Sequence, residues 1–221
     1  MIPSKESARF VWRMEEVLDL YEEPYDPKRP VVCFDERPCQ LLAEVRKPLP
    51  VGAGVPERRD HEYRRRGTAH LFVAFEPLTG WRGVEVRERR RGREFAEEAR
   101  HLAEEVYPDA EKIRLVVDNL NIHTPASFYE AFEAERAREL CRRVEFVYTP
   151  VHGSWLNMVE VELSVLVRQC LRRRIPEAEV LRREAQAWCE ERNRAGASVD
   201  WRFTTDDART KLRKLYPSIE P

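Results

Sequence analysis

Two short apolar runs of the sequence each end in an aspartate, and they constrain the fold more than any other feature. The runs are VVCFDE, which contains Asp35, and RLVVDN, which contains Asp118. Such runs are typical of strands buried on both faces of a sheet, and their ends reach the rim where α/β proteins bind ligands. If the strands are neighbours, the two carboxylates lie side by side; the alternative is that each Asp only terminates its strand. Glu36 follows Asp35, so we expect it to point to the opposite face and form an ion pair.

The order of elements along the chain predicts one sheet covered by helices. Two β-rich runs flank PLTG and predict a hairpin after the first strand, and amphipathic helices then alternate with RLVVDN and VEFVYTP. A hairpin followed by β-α-β alternation indicates a mixed sheet with helices on both faces. We therefore expect an α/β protein with a mixed five-stranded sheet, in an element order that resembles the ribonuclease H-like fold.

The same patterns predict the domain organisation. Residues 1–29 are predicted to form a linker helix and a proline-rich connector, residues 30–196 the α/β domain, and residues 197–221 a helical tail packed on it. Residues 37–66 contain several prolines and glycines, and we expect a long loop or clamp-like excursion there. PASFYEAFEAERARELCRR is predicted to be one helix with proline in its first turn.

The stretch SWLNMVEVELSVL predicts a helix that carries two glutamates in apolar company. A buried carboxylate is normally found only with a partner charge or a metal. We expect Ser154 to be the N-cap. At about 100° per residue, Glu160 lies about 60° from the centre of the apolar stripe, on the same flank as Asn157. Glu162 lies about 100° from that centre on the opposite side. Glu160 is therefore the predicted inward-facing acid, and Glu162 is expected to be exposed or at the rim.

Asp35, Asp118 and Glu160 are thus predicted to meet at the rim of the sheet. An anionic site made only of oxygen ligands suits Mg²⁺ or Mn²⁺ and does not suit zinc. Two such ions about 3.5–4 Å apart would activate an attacking hydroxyl and stabilise the leaving oxygen in phosphoryl transfer.

Charge is distributed unevenly along the chain. The net charge is −1, but residues 57–93 contain eleven Arg against six Asp or Glu. Arginine suits bidentate contacts with phosphate, so we expect the clusters Arg64, Arg65, Arg66 and Arg89, Arg90, Arg91 to bind nucleic acid. The alternative is that these arginines are only a solvated surface.

The sequence also excludes several classes of protein. The five cysteines form no C-x-x-C pair and no Cys/His cluster at zinc spacing, so they are expected to be reduced thiols. No run of about 18 apolar residues and no secretory h-region is present. We therefore expect a cytoplasmic protein without a membrane span.

Four segments together identify a family resemblance. VVCFDE, LVVDNLNIHTPASFYEAF, VEFVYTPVHGSWLNMVEVELSVL and DWRFTTDDARTKLRKLYP resemble the DDE transposases of the Insertion Sequence 630 family, relatives of the mariner elements. The resemblance runs from about Val11 to Pro217, and the Y-T-P…L-N-x-x-E segment is its most specific part. It implies a ribonuclease H-like catalytic domain that binds two Mg²⁺ ions, with Mn²⁺ as a substitute.

The resemblance also implies the roles of the acids. It places the three family acids on Asp35, Asp118 and Glu160, with Asp35 bridging both metals. The last two acids are 42 positions apart (160 minus 118), which is longer than the usual mariner-type spacing. The extra length is expected in EAFEAERARELCRR.

The family's activity gives the expected function. It is hydrolytic nicking of double-stranded DNA at transposon ends, followed by attack of the freed 3′-hydroxyl on target DNA at TA dinucleotides. Family members carry helix-turn-helix modules before the catalytic domain, whereas only SARFVWRMEEVLDLYEE precedes the first strand here. We therefore expect a catalytic half or a remnant, with a helix-turn-helix protein encoded separately. A homodimer and association with the bacterial nucleoid are also expected.

Five further residues are expected around this site. Asn119, His123 and Asn157 are expected to support the acids, while His152 and Trp155 are expected to contact DNA. The alternatives are a capping or packing role for His123, a structural role for Asn157 and a core position for Trp155.

Two other functions remain open at this stage. One is a different nuclease on the same fold, such as an RNA–DNA hybrid nuclease or a junction resolvase, although these typically carry a fourth acid and lack the L-N-x-x-E segment. The other is a decayed or domesticated copy that binds DNA or assembles without chemistry.

Overall fold

The protein is built on a five-stranded mixed sheet. A computed structural model describes residues 7–46 and 61–218. The sheet order is β3-β2-β1-β4-β5. β2 is antiparallel to both of its neighbours, β1 and β3, whereas β1, β4 and β5 run parallel to one another, which confirms the predicted mixed sheet. The strands are β1 (Val31–Glu44), β2 (Tyr63–Glu76), β3 (Trp81–Arg87), β4 (Ile113–Val117) and β5 (Val144–Tyr148).

Helices cover both faces of this sheet, as predicted. In the described part of the chain, none of them is long and apolar enough to cross a membrane. The helices are α1 (Ala8–Glu22), α2 (Gly92–His101, continued by a π-turn), α3 (Ala126–Ala131), α4 (Ala134–Arg143), α5 (Val159–Gln169), α6 (Ala178–Arg194) and α7 (Thr205–Lys211).

Two separate cores lie on the two faces, and β1 contributes to both because its side chains alternate. Cys33 faces the core formed with α1, α5 and α6. Val32 and Phe34 face the core formed with α2, α3 and α4. Glu36 continues the second series and Asp35 the first, so the two acids point to opposite faces, as predicted.

The prediction of a long loop over residues 37–66 is wrong for its first and last residues, which belong to strands. Strand β1 continues to Glu44, β2 begins at Tyr63, and these two residues pair across the ladder. Proline is tolerated inside this strand because β4 pairs with β1 only as far as Cys33. Beyond that residue no strand of the described part pairs with this edge of β1, so the missing N–H of Pro38 is harmless there. Residues 47–60 lie outside the described part.

Two further differences concern helices and cysteines. The helix predicted from PASFYEAFEAERARELCRR is two helices, because Phe132 adopts an extended backbone (φ −131°, ψ 161°) between α3 and α4. All five cysteines are free thiols, as predicted.

The C-terminal segment returns to α1. Thr204 caps α7 through a capping box with Asp207. The Thr205 hydroxyl donates to Asp19 (2.5 Å), and its backbone N–H donates to Glu22 of α1 (3.0 Å). This contact fixes α7 against the helix that precedes the sheet.

Candidate active site

The parallel pairing of β1 and β4 brings two aspartates to one rim of the sheet. The last residue pair in this ladder is Cys33 with Val116. Asp35 lies two residues beyond the first member of that pair, and Asp118 lies two residues beyond the second. They therefore lie at the same level where the parallel pairing of β1 with β4 stops, although β1 itself continues to Glu44.

The start of α5 is held directly over β1. The Asn157 side-chain amide donates to the backbone oxygen of Phe34 (2.9 Å), the residue before Asp35. The backbone amides of Met158 and Val159 lie against the Cys33 thiol. These contacts fix the first turn of the helix, and with it the half-buried Glu160, next to Asp35.

Mutual repulsion marks the three carboxylates as one group. Burial raises the pKa of Asp35, a hydrogen bond from the Glu36 N–H (2.7 Å) lowers it, and the negative charges of Glu160 and Asp118 raise it further, to about 7. Carboxylates that share a site without a cation oppose one another's ionisation. Glu160 and Asp118 are therefore both within electrostatic reach of Asp35.

The donor chemistry of this group fits a hard divalent cation. Three carboxylates supply only oxygen ligands, the type that Mg²⁺ and Mn²⁺ prefer. Among residues 7–46 and 61–218, no three His, Cys, Asp or Glu side chains are arranged as a metal site. An ion bound there would have to draw the carboxylates together.

His123 is completely buried between two acids. Its Nδ1 lies 2.8 Å from Asp118 Oδ1 and its Nε2 lies 3.0 Å from Glu36 Oε1. Burial lowers the pKa of His123, but its hydrogen bonds to the two carboxylates outweigh that effect and raise it to about 9. The imidazolium in turn helps to keep the pKa of Asp118 below its usual value. The predicted ion pair of Glu36 is thus formed with His123.

The prediction for Glu162 is wrong, because this side chain is the more deeply buried of the two glutamates. It is 1% exposed and lies 2.9 Å from Arg82 Nε. It also accepts two hydrogen bonds from Arg192. The flank of α5 that was expected to face solvent is covered by β3 and α6, which supply the two arginines.

The prediction of Ser154 as the N-cap is also wrong. Ser154–Leu156 forms a 3₁₀ turn, and α5 begins at Val159. Asn157 has an extended backbone between the two elements (φ −84°, ψ 106°). That conformation turns the Asn157 side chain toward β1, where it makes the contact that positions the helix.

The remaining predicted residues lie in different surroundings. Asn119 donates to the Thr149 oxygen (2.6 Å) and so connects the ends of β4 and β5. His152 is exposed and has a positive φ of 66°. Trp155 packs against Trp201 (ring centroids 6.5 Å apart) and the edge of Phe203 (5.8 Å). These contacts give Trp155 a packing role.

The two arginine clusters differ in their distance from the acids. Both are exposed. In the cluster at residues 89–91, Arg90 is close enough to help lower the pKa of Asp118. In the cluster at residues 64–66, Arg65 pairs with Leu42 in the extended part of the β1–β2 ladder. Leu42 is seven positions beyond Asp35, so this cluster lies farther from the rim.

Arg82 was missed at the level of sequence although a signal was present. The run WRGVEVR alternates, and it places Arg82 on the same face as Val84 and Val86. All three are buried. An arginine in phase with buried valines indicates a partner acid inside the protein.

Comparison with known proteins places this geometry in a family. Residues 30–182 match the family model described as DDE superfamily endonuclease. None of the curated proteins compared with the chain matches it significantly. Among solved structures, the chain is similar to three Mos1 transposase assemblies. The first is the paired-end complex with left transposon end, with a TM-score of 0.58 and 16% identity over 89% of this chain and 60% of that chain. The second is the pre-cleavage transpososome, with a TM-score of 0.59 and 14% identity over 100% of this chain and 66% of that chain. The third is the strand transfer complex, with a TM-score of 0.56 and 16% identity over 85% of this chain and 56% of that chain.

These matches support the fold over most of the chain. At such low identity the likeness concerns the ribonuclease H-like transposase fold alone, and the chain spans about 60% of the length of the Mos1 chain in the paired-end complex. The family model covers more than half of the chain and contains all three acids. The chain therefore belongs to the DDE superfamily endonucleases.

Proposed function

We propose that this chain is the catalytic domain of a transposase of the Insertion Sequence 630 type. It would cleave double-stranded DNA at transposon ends and join the freed 3′-hydroxyl to target DNA by Mg²⁺-dependent phosphoryl transfer. The observation that carries the proposal is the grouping of Asp35, Asp118 and Glu160 at one rim of the sheet. The family match and the Mos1 fold support the reaction class. One Mos1 paired-end complex of the same fold was determined with Mn.

The chain's own residues prepare this site. Asp35, Asp118 and Glu160 would hold the ions, which would supply an activated attacking hydroxyl and neutralise charge on the leaving oxygen. His123 donates to Asp118 and keeps it ionised. Asn157 fixes α5 on β1 and so keeps Glu160 in place. Positioning of this kind accounts for much of the rate of a phosphoryl transfer.

The partners and organisation follow from the same proposal. We assign the catalytic domain to residues 30–196, with residues 1–29 as a linker and 197–221 as a packed tail; residues 1–6 and 219–221 of these segments lie outside the described part. We propose a homodimer on DNA, with a helix-turn-helix partner that recognises the transposon ends. The assembled transposase would act at the bacterial nucleoid.

The test is nicking of supercoiled plasmid in Mn²⁺. Wild type should convert the plasmid to open circles, and Asp35→Asn should leave it at background. Asp206→Asn is the matched control, because its carboxylate is 94% exposed at the start of α7. Mn²⁺ binding measured by calorimetry gives a second readout and should weaken in Asp35→Asn alone. Equal nicking by Asp35→Asn and wild type would refute the assignment.

Substrate choice separates the alternative functions. A transposase-type site should prefer duplex DNA, whereas a hybrid nuclease would prefer an RNA–DNA duplex. If the chain binds Mn²⁺ and DNA but leaves every substrate intact, it is a copy that has kept binding without chemistry.

A further inference from the structure

A groove rich in arginine runs between β1 and the turn that follows α5. Its volume is about 480 Å³. The backbone N–H of Leu42 donates to the Ile175 oxygen (2.8 Å), which ties the turn to the strand. We call it the arginine groove; it is lined chiefly by Arg37, Cys39, Val167, Arg172, Arg173 and Arg174.

The arginine groove lies on the face of the sheet that carries the acids. Side chains alternate along a strand, so Arg37 and Cys39 point to the same side as Asp35. On α5, Val167 follows Glu160 by seven residues, which is two helical turns and returns to the same face. The β1 wall of the groove therefore lies on the same face as Asp35, and the α5 wall lies on the same helical face as Glu160.

The groove has more positive charge than the protein neutralises. Two of its arginines have acidic partners: Arg173 lies 2.6 Å from Glu184, and Arg174 lies 2.5 Å from Glu44. Arg37 and Arg172 are exposed. Neither has a carboxylate within ion-pair distance among the residues that the structure describes. The groove is therefore suited to an anionic ligand.

The wall formed by the turn after α5 is also fixed by hydrogen bonds. The Arg174 guanidinium donates to the backbone oxygens of Glu62 (2.8 Å) and His61 (3.1 Å) and lies over the Tyr63 ring. Its contacts tie the turn after α5 to the beginning of β2. A groove whose walls are fixed in this way needs little reorganisation when a ligand binds.

We propose that the arginine groove binds the phosphodiester backbone of the DNA strand that is cut. The proposal rests on the function proposed above, because it takes the scissile phosphate to lie at the acids. Arg37 is two strand residues from Asp35, or about 7 Å. At about 3.4 Å of axial rise per nucleotide, DNA whose axis runs along β1 would bring a phosphate about two nucleotides from the cut to Arg37. Arg172 contacts the same strand farther along.

The first test removes the two unpaired charges. Arg37→Gln/Arg172→Gln is compared with Arg138→Gln/Arg142→Gln, which removes two exposed arginines from α4 on the opposite side of the sheet. Binding to a labelled duplex with a single-stranded 3′ end is followed by anisotropy in Ca²⁺. The groove variant should bind at least about tenfold more weakly at 0.1 M salt, and its log–log salt slope should fall by about 1.4–1.8. Equal affinity of the two variants would overturn the proposal.

The second test uses a thiol that lines the arginine groove. Cys39 is half-buried there, whereas Cys141 lies on α4 and serves as an internal control. Bound DNA should slow modification of Cys39 by N-ethylmaleimide, measured by peptide mass spectrometry, without changing that of Cys141. The protection should disappear in the groove variant. Unchanged reaction of Cys39 at saturating DNA would contradict the proposal.

The two proposals can fail separately. If wild type nicks DNA but Cys39 is not protected, the groove is wrong and the catalytic assignment stands. If Asp35→Asn nicks like wild type while DNA protects Cys39, the groove stands as a DNA site and the catalytic assignment is wrong.

Discussion

Replacing Glu162 with leucine should destabilise the protein strongly, because it leaves a buried arginine without its carboxylate. The Arg82 and Glu162 side chains are 0% and 1% exposed, and Arg82 Nε lies 2.9 Å from Glu162 Oε2. Burial already lowers the pKa of Arg82, which shows how unfavourable its surroundings are for a charge. The guanidinium keeps weaker partners in the variant, namely the Ala197 oxygen, Asn193 and the Phe75 ring.

The size of the effect follows from the cost of an unpaired buried charge. Removing one member of a buried ion pair costs about 3–5 kcal/mol. Because Arg82 keeps its contact with a backbone oxygen, we expect the lower end, about 3 kcal/mol. In a protein of this size about 1 kcal/mol lowers the melting temperature by about 2–4 °C. Glu162→Leu should therefore lower it by about 6–12 °C.

A double-mutant cycle separates the ion pair from simple loss of packing. The free energy of unfolding in urea is measured for Glu162→Leu, for Arg82→Leu and for the double variant. The double variant should be clearly more stable than the sum of the single effects predicts, because it buries no uncompensated charge between these positions. Glu139→Leu, at an exposed position of α4, is the control and should change stability by less than about 0.5 kcal/mol. Additive single effects, or a loss below about 1 kcal/mol in Glu162→Leu, would refute the reasoning.

The same variant tests the link between this ion pair and the candidate active site. Glu162 lies two residues after Glu160 on α5, and its contacts with β3 and α6 fix the rotation of the helix. Plasmid nicking by Glu162→Leu should fall further than its unfolded fraction explains at the assay temperature. Nicking in proportion to the folded fraction would show that the ion pair serves stability alone.

Two further variants test the contacts around α1. Tyr21→Phe should lower the free energy of unfolding by about 1–3 kcal/mol in urea, because the buried Leu156 oxygen loses the hydroxyl that donates to it (2.7 Å). Burial raises the pKa of Glu15, but hydrogen bonds from Arg209 and Tyr216 outweigh it and leave the pKa below the ordinary 4.5. A lowered carboxyl pKa stabilises the fold above about pH 4.5 and stops doing so as the pH falls through the folded-state value. Wild type should therefore melt above Glu15→Gln at pH 7 and together with it at low pH; a difference that persists in acid would refute this assignment.

The shared rim position of the two aspartates could be predicted from the sequence because it depends on local pattern and on one topological rule. The apolar runs before Asp35 and Asp118 indicate buried strands, and parallel neighbours place the residues that follow such runs at the same edge. The structure confirms that pairing through Cys33 and Val116. The hairpin around PLTG was equally local, since turn residues separate two β-rich runs.

The features that were missed depend on distant parts of the chain. The helical wheel separated Glu160 from Glu162, but it could not show that two arginines cover the second glutamate. Arg82 is 80 residues before Glu162 in the chain (162 minus 82). The continuation of β1 past residue 37 was hidden in a similar way, since proline and glycine content predicts a loop unless the strand is known to have a free edge there.

The strongest reason to expect a cation at the rim is that some of its acids have cationic partners and others have none. Glu36 and Asp118 share the buried His123, and Glu162 has two arginines. In the part of the chain that the structure describes, Asp35 is stabilised only by a backbone N–H, and Glu160 has no cationic side chain within ion-pair distance. The acids around the site, Glu36 and Glu162, are thus paired with cationic side chains. Of the three acids that meet in the site, Asp35 and Glu160 are not. A structural role would favour pairing these two as well, whereas a site for a divalent ion requires them to be left open.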